Sequence, residues 1–225
     1  MSVDKREQLV RILRKPKPTM RDRLEQYKRD GARELDRPDF LWHFLLQSFA
    51  TMGNSRGWQG LIGNQARYVR VTFEALAPLS PADRVARLEE TLAAAGVRMT
   101  KKKARWLAEN FTKIEAMGGL AAAKREALAQ SDASGKIAFM KQFAGIGDKY
   151  ARNIWMDVYH PDFRNTIAID ERIKTISHTL GVTLRKYDEH ERFYQELARD
   201  AGLEPWELDR LLYNFRDEIL RELSR

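Results

Sequence analysis

Apolar residues recur along most of the chain at the three- and four-residue spacing of amphipathic helices, and residues that start or end helices separate these segments. Ser80 followed by Pro81 suits an N-cap and a first helical turn, and Gly96 stands where that helix should end. About ten helices fit the sequence in this way. Strand-like alternation is confined to the short stretch from Thr166 to Ile169. The pattern predicts an all-α fold.

The segment FLWHFLLQSFA, residues 40–50, is apolar on nearly every side. Such a helix belongs in the middle of a fold, because it has no polar face to turn towards water. The preceding segment, up to about Arg37, is charged and amphipathic, so we expect it to pack on the outside. A terminal helix is predicted to begin at Pro205. Trp155 and Trp206 are expected in the core.

Composition excludes several kinds of site. The 225 residues, 43% of them hydrophobic, suffice for one large domain or two subdomains around a shared cleft. Without cysteine there is no disulfide, no thiolate metal site and no cysteine-ligated iron–sulfur cluster. Four widely spaced histidines make a metal site unexpected, and we expect no cofactor. No apolar run reaches the ~18 residues of a membrane helix, and no secretory signal is evident, so we expect a cytoplasmic protein.

The charge balance favours a polyanionic partner. Forty Lys and Arg against 32 Asp and Glu give a formal charge of +8, and the pI is about 9.7. Nucleic acid is the first candidate because bound cations release its counterions, although moderately basic surfaces also occur on proteins that bind no nucleic acid. The run from Lys101 to Lys103 begins a helix predicted to extend from Thr100 to Gly118, where positive charge opposes the helix dipole. It can contact DNA phosphate, but a solvated lysine face is the more common arrangement.

The segment from about 134 to 159 has the pattern of a helical hairpin. Residues 134–143 and 148–159 suit two helices, and Gly145-Ile146-Gly147 suits a tight turn between them. The N–H groups at the start of the second helix can bind phosphate without reading the base sequence. A plain helix–turn–helix connection can have the same pattern, so DNA binding and simple packing both remain open.

Lys149 falls in the first turn of the second hairpin helix. There the positive end of the helix dipole favours the neutral amine, which is a nucleophile. Such an amine can attack the anomeric carbon of a nucleotide, expel the base and hold the sugar as a Schiff base, from which β-elimination breaks the strand. A solvated lysine or a phosphate contact is the alternative.

Asp170 is a possible partner, 21 residues after Lys149 and directly before the predicted helix that begins at Glu171. An aspartate there can simply cap the helix. The apolar approach Ile167-Ala168-Ile169 would carry it inward, however, where a carboxylate can take a proton from the amine and stabilise the cationic sugar. The two residues together are a stronger indication than either alone.

The chain resembles the helix-hairpin-helix DNA glycosylase superfamily from about Phe40 to its end, most densely over 139–176. GIGDK resembles the family's GVGxK, so that Lys149 falls on the catalytic lysine of its bifunctional members, and IAIDERI resembles the segment with the essential aspartate, which falls on Asp170. The resemblance implies a bifunctional glycosylase and apurinic/apyrimidinic (AP) lyase of base excision repair. It also implies that Gly145 and Gly147 contact DNA phosphate.

Departures from the family pattern narrow the subfamily. Ala144 replaces the usual proline, Arg172 stands where several relatives have histidine, and the missing cysteines exclude the branch with an iron–sulfur cluster. The closest resemblance is to the cluster-free 8-oxoguanine DNA glycosylase/lyases, especially the small bacterial and archaeal type. That type ends in a lysine used in base recognition, whereas this chain ends Ser224-Arg225.

The resemblance also implies an architecture for the whole chain, 1–225, as one glycosylase unit. Two helical subdomains are expected, a central one of about 38–160 and a second formed by 1–37 plus 161–225, with the hairpin at the cleft between them. The expected partner is double-stranded DNA with a damaged base. We expect a monomer that is associated with the nucleoid if the source is bacterial or archaeal.

A damaged base must leave the helix stack before it can be excised, so the gap must be filled. Phe49 lies near the position where relatives carry their gap-filling residue, and Asn54 or Arg56 can contact the orphaned base. Core packing is an equally good explanation for Phe49.

The flipped base needs a pocket, and two helix faces offer residues for it. Asn153 and Met156 follow Lys149 by four and seven residues and share its helix face, although both can equally serve interhelical packing. Asp209 and Tyr213, one turn apart, can accept a hydrogen bond from the base and stack on its ring. The alternative is an exposed acid beside a packed tyrosine.

Two other functions remain open from the sequence. One is a helix-hairpin-helix module that binds DNA without catalysis. The other is a monofunctional glycosylase for alkylated or mismatched bases, in which Lys149 contacts phosphate.

Overall fold

The computed structural model describes residues 3–53, 56–169 and 171–224, and this part of the chain is all-α, as the sequence predicts. It contains fourteen α-helices, two short 3-10 turns and no strand. The helices are α1 (Val3–Arg14), α2 (Pro18–Asp36), α3 (Phe40–Thr51), α4 (Arg56–Leu61), α5 (Gln65–Tyr68), α6 (Phe73–Leu76), α7 (Pro81–Ala94), α8 (Thr100–Ala116), α9 (Leu120–Leu128), α10 (Ala133–Met140), α11 (Asp148–Asp157), α12 (Glu171–Thr179), α13 (Tyr187–Ala201) and α14 (Pro205–Leu223).

The predicted helix boundaries that rested on capping residues are confirmed. The Ser80 hydroxyl accepts the Asp83 N–H at 3.2 Å, Pro81 begins α7, and Gly96 follows that helix with a φ of +69°. The predicted total of about ten helices was too low. The extra helices are mainly α4, α5 and α6, which have only four to six residues each and so are too short to show an amphipathic period.

The chain divides into two compact units. The terminal unit comprises Met1–Arg33 and Trp155–Arg225, and the central unit comprises Glu34–Ile154. The division falls inside α11, so the two hairpin helices begin in the central unit and the chain enters the terminal unit before α11 ends. Both chain ends therefore belong to one unit.

The core of the central unit is built around α3, which is buried on almost every side, as predicted. Trp42 is fully buried, and its indole N–H donates to the Val71 carbonyl at 2.8 Å. Its ring packs edge-on against Phe73 and Phe111. The indole is thus both a large apolar filler and a satisfied polar group, which is the arrangement that a buried tryptophan requires.

The core of the terminal unit contains Trp155 and Trp206, both buried, as expected. The indole N–H of Trp206 donates to the Met156 carbonyl at 2.6 Å, and its ring lies 4.5 Å from that of Tyr159. The first two helices bury one apolar face each in this unit, through Leu9, Leu13, Met20 and Leu24, and expose their charged faces. They pack on the outside, as the sequence indicates.

None of the described helices is both long and apolar enough to span a bilayer. Within the same residues, no three His, Asp or Glu side chains come together in an arrangement that could hold a metal ion.

Candidate active site

The predicted hairpin is formed by α10 and α11, with the turn between them over residues 141–147. The first helix ends three residues earlier than the predicted Phe143. The N–H groups of Gln142 and Phe143 donate to the carbonyls of Phe139 and Met140, at 3.1 Å each, so the chain tightens into turns before the glycines. Helix α11 begins at Asp148, so Lys149 is the second residue of its first turn.

The two hairpin glycines have different surroundings. Gly145 has a φ of +80°, and a β-carbon built on it would lie 2.6 Å from the Trp106 ring and 2.8 Å from the Phe49 ring. A β-carbon on Gly147 would meet nothing within 4 Å, and the Gly147 carbonyl accepts the Ala151 N–H at 2.9 Å as α11 begins. Gly145 is therefore needed for packing, whereas Gly147 leaves the space before the helix open.

We expect alanine substitutions to separate these two roles. Gly145→Ala combines positive φ with a ring clash and should lower the free energy of unfolding by about 2–4 kcal/mol. Gly147→Ala should lower it by less than about 1 kcal/mol but weaken DNA binding several-fold, because its methyl group occupies the space that a phosphate would enter. Chemical denaturation and fluorescence anisotropy measure the two effects. Undiminished DNA binding by Gly147→Ala would contradict the phosphate contact.

Asn110 anchors the hairpin from α8 and was not found from the sequence. Its side chain is fully buried, accepts the Ala144 N–H at 2.7 Å and donates to the Ala144 carbonyl at 3.1 Å. One side chain of α8 thus binds both polar backbone groups of Ala144 and fixes the start of the hairpin turn.

Lys149 is exposed in the first turn of α11, in the central unit. Its ammonium nitrogen lies 5.9 Å from the centre of the neighbouring Tyr150 ring. The carboxylate of Asp148, which the sequence places close to the expected phosphate, pairs with Lys141 at 2.7 Å. Lysine 141 thereby offsets the negative charge at this helix start, and Lys149 is accessible to a substrate.

Asp170 lies outside the described residues, but the three residues before it are described. Ile167 is fully buried, and Ala168 and Ile169 are half-buried. The residues from Thr166 to Ile169 have no regular secondary structure, so the strand predicted from their alternating pattern is absent. The N–H groups of the last three bond to side chains instead: Ile167 donates to Glu191 at 3.4 Å, Ala168 to Asp209 at 3.0 Å and Ile169 to the Tyr187 hydroxyl at 3.3 Å.

Asp209 and Tyr213 differ in exposure in the opposite sense to the alternative of an exposed acid beside a packed tyrosine. Asp209 is buried, with 6% of its surface exposed, whereas Tyr213 is 46% exposed. The alternative of an exposed acid beside a packed tyrosine is therefore wrong. The Arg172 guanidinium lies 4.0 Å from the Tyr213 ring centre, so the ring carries a cation on one face at the surface of the terminal unit.

The remaining predicted site residues differ in accessibility. Asn153 is half-buried, and Met156 is fully buried in the terminal unit. Phe49 is fully buried and packs against Trp106, with ring centres 5.9 Å apart, which supports the packing explanation for it. Arg56 is exposed at the start of α4, and Asn54 lies outside the described residues.

Lys103 contradicts the expectation of a solvated lysine face. It is fully buried, and its ammonium donates to the carbonyls of Phe49 at 2.9 Å and Met52 at 2.8 Å, at the end of α3. Burial, together with the charge of Arg98, lowers the pKa of Lys103 to about 8. Lysines 101 and 102 are exposed, as expected. No simple sequence signal separates the buried lysine from its two exposed neighbours, because the difference lies only in helix rotation.

The lowered pKa of Lys103 predicts a pH-dependent stability. Between about pH 8 and 10.5 the unfolded chain holds a proton that the folded chain has lost, so stability rises with pH across this window. Relative to Lys103→Met, the wild type should gain on the order of 3 kcal/mol in unfolding free energy there. Denaturant titrations at several pH values measure this difference. Lys101→Met is the exposed control, for which we expect no pH-dependent difference; a flat difference for Lys103→Met as well would contradict the buried site.

No protein-family model matches the sequence, and no curated protein is similar to it. Solved structures are similar in fold. The Methanocaldococcus jannaschii 8-oxoguanine glycosylase/lyase, in complex with a 15mer DNA containing 8-oxoguanine, has a TM-score of 0.65 and 15% identity over 95% of this chain and 97% of that chain. A second structure, of an 8-oxoguanine DNA glycosylase from the same organism, has a TM-score of 0.62 and 16% identity over 95% and 94%.

The same similarity extends to a bacterial protein. The 8-oxoguanine DNA glycosylase of Thermotoga maritima has a TM-score of 0.59 and 20% identity over 92% of this chain and 93% of that chain. At 15–20% identity, these similarities show the fold of the chain. Over nearly its whole length, the chain has the all-α fold of 8-oxoguanine DNA glycosylases, and the glycosylase fold that its hairpin motifs imply is confirmed.

Proposed function

We propose that this chain is a bifunctional DNA glycosylase and AP lyase, which removes an oxidised base from double-stranded DNA. The observation that carries the proposal is an exposed lysine, Lys149, in the first turn of a glycine hairpin helix, in a chain with the fold of 8-oxoguanine glycosylases. In that position the amine is accessible to a substrate.

Lys149 and Asp170 divide the chemistry between a nucleophile and a carboxylate. The lone pair of the neutral amine forms a bond to C1′ of the sugar, while the electrons of the glycosidic bond leave with the base, which takes up a proton. Asp170 stabilises the cationic sugar and accepts the proton that the amine loses. Opening of the sugar ring gives the Schiff base. Loss of a C2′ proton then expels the 3′ phosphate and breaks the strand.

DNA binding by the hairpin would depend on its backbone and on nearby cations. The open space before Gly147 gives a phosphate access to the N–H groups at the start of α11, where the helix dipole favours an anion. Lys102, which lies over the Trp106 ring, and Lys141 add positive charge to the same unit. Contacts of this kind bind DNA without selecting a sequence.

Base recognition is the finer part of the proposal, with 8-oxoguanine as the substrate. Tyr213 offers an exposed aromatic face for stacking, and the half-buried Asn153 offers an amide. The lesion differs from guanine by an N7–H donor, so an acceptor in the pocket would select it. Normal guanine has an acceptor at N7, so in the same pocket two acceptors would face each other without a hydrogen bond, at a cost of roughly 1–3 kcal/mol. Arg56 and Asn54 remain the proposed contacts to the orphaned base.

A panel of lesion duplexes tests the proposal. Single-turnover excision should be fastest for 8-oxoguanine, compared with thymine glycol, uracil and 3-methyladenine, and strand cleavage should accompany it. Excision without cleavage would favour a monofunctional glycosylase. Binding without excision on every duplex would favour a DNA-binding module that has no activity. A preference for oxidised pyrimidines or alkylated purines would overturn the substrate while leaving the lysine mechanism in place.

A further inference from the structure

The segment before Asp170 is fixed by side chains from two helices of the terminal unit. Backbone N–H groups that are withdrawn from water need partners, and a segment outside helices and sheets has no regular backbone partners to supply them. Here the partners are Glu191 and Tyr187 on α13 and Asp209 on α14. The Tyr187 hydroxyl accepts from the Ile169 N–H at 3.3 Å and donates to the Ile167 carbonyl at 3.1 Å, so one side chain bridges both ends of the segment.

Asp209 holds the middle of this segment. Its Oδ1 accepts the Ala168 N–H at 3.0 Å, and its Oδ2 lies 3.9 Å from the Nε of Arg210, which also pairs with Asp157 at 3.0 Å. A carboxylate that accepts a backbone N–H makes a stronger bond than a neutral acceptor does. Because Asp209 is 94% buried, its carboxylate is directed at the backbone of the segment and away from solvent.

We propose that Asp209 and Tyr187 are positioning residues, which fix the backbone immediately before Asp170, and that Asp209 does not read the damaged base. The inference rests on the proposed function, in which Asp170 is the catalytic carboxylate. Ile169 is covalently joined to Asp170, so the clamp on residues 167–169 sets the point from which the catalytic side chain begins. A displacement of about 1 Å in a catalytic group can cost a hundredfold in rate.

The contrast with Tyr213 makes this inference testable. Tyr213 follows Asp209 by one turn of α14, yet it is exposed, and its ring stacks with Arg172. Of these two residues of α14, both expected in the base pocket, Asp209 thus faces the interior of the unit and Tyr213 faces its surface. A base reader matters only when a base is present, whereas a positioning residue matters on every substrate.

A duplex with a pre-made abasic site separates the two roles, because it has no base to recognise. We expect Asp209→Ala to lower the single-turnover rate of borohydride trapping on this duplex by about 10- to 100-fold. Asp209→Asn should stay within a few-fold of the wild type, since its amide oxygen can still accept the Ala168 N–H. Asp217→Ala, which removes an exposed acid of the same helix that pairs only with Arg216 among the described ion pairs, is the matched control and should trap at the wild-type rate.

Tyr187→Phe provides a second variant whose folding is not in doubt, because the exposed ring is retained and only the bridging hydroxyl is lost. It should lower the trapping rate in the same direction as Asp209→Ala. DNA affinity, measured by anisotropy, should be unchanged in both, so that the loss appears in the rate alone. A variant that had lost its fold would lose affinity as well as rate, so a loss confined to the rate indicates a positioning role.

The opposite result is equally clear. Should Asp209→Ala and Tyr187→Phe trap the abasic duplex at the wild-type rate, neither residue positions the catalytic group. If Asp209→Ala in addition lost the preference for 8-oxoguanine, Asp209 would be a base reader. A wild type that formed no adduct on any duplex would instead overturn the proposed function, and this inference with it.

Discussion

Lys149→Gln should abolish borohydride-trapped adducts and lower strand cleavage at least about a thousandfold, because an amide nitrogen is not a nucleophile. The side chain is exposed and bonds to no other element among the described residues, so folding should not change. DNA affinity should also remain within a few-fold of the wild type, since the proposed phosphate contact uses the hairpin backbone. Gel analysis of the adduct, with anisotropy for binding, measures both effects.

Lys141→Gln is the matched control for this variant. Lys141 is an exposed lysine of the same hairpin, paired with Asp148, and its loss removes the same charge. It should weaken DNA binding modestly and leave trapping intact. Trapping by Lys149→Gln at the wild-type level would contradict the nucleophile assignment, and equal losses in both variants would mean that the lysine acts through charge alone.

Asp170→Asn should lower base excision by about 10²- to 10⁴-fold, because an amide neither stabilises the cationic sugar nor accepts a proton from the amine. The change keeps the shape of the side chain, and asparagine caps helices about as well as aspartate does. Thermal stability should therefore change much less than the rate. Single-turnover excision at saturating enzyme measures the chemical step without a contribution from binding.

Glu171→Gln tests whether the loss is specific to position 170. Glu171 is the next residue, is exposed and pairs only with Lys174 among the described side chains, so the substitution removes the same charge one residue away. Its rate should stay within a few-fold of the wild type. If Asp170→Asn is also within a few-fold, the aspartate is only a helix cap.

The parts of the fold that were predicted from the sequence depend on local signals. The all-α class, the buried helix α3 and the boundaries of α7 follow from periodicity and from capping residues, which act within a few positions along the chain. The short helices α4, α5 and α6 were not predicted because they are too short to contain a full amphipathic period. The segment from Thr166 to Ile169 looks like a strand because the sequence does not reveal that side chains, rather than a neighbouring strand, bind its N–H groups.

In the candidate site, too, the residues that were predicted belong to a contiguous motif, and those that were not predicted make contacts distant in sequence. Lys149 and the hairpin were found because the motif is contiguous and glycine has few other reasons to occur there. Lys103, Asn110 and Tyr187 were not found, because each acts on backbone that is distant in sequence. A lysine gives no local sign that it binds two carbonyls about fifty residues away, as Lys103 does. The roles proposed for the base pocket depend on such distant relations and stay predictions.

The central claim is that Lys149 forms the covalent bond to DNA. The most direct measurement is to trap the wild-type enzyme on an 8-oxoguanine duplex with borohydride, digest the adduct with a protease and identify the modified peptide by mass spectrometry. The account predicts one modified peptide, from the start of α11, with the sugar remnant on Lys149. A remnant on the N-terminal amine or on another lysine, such as Lys103 or Lys141, would contradict it.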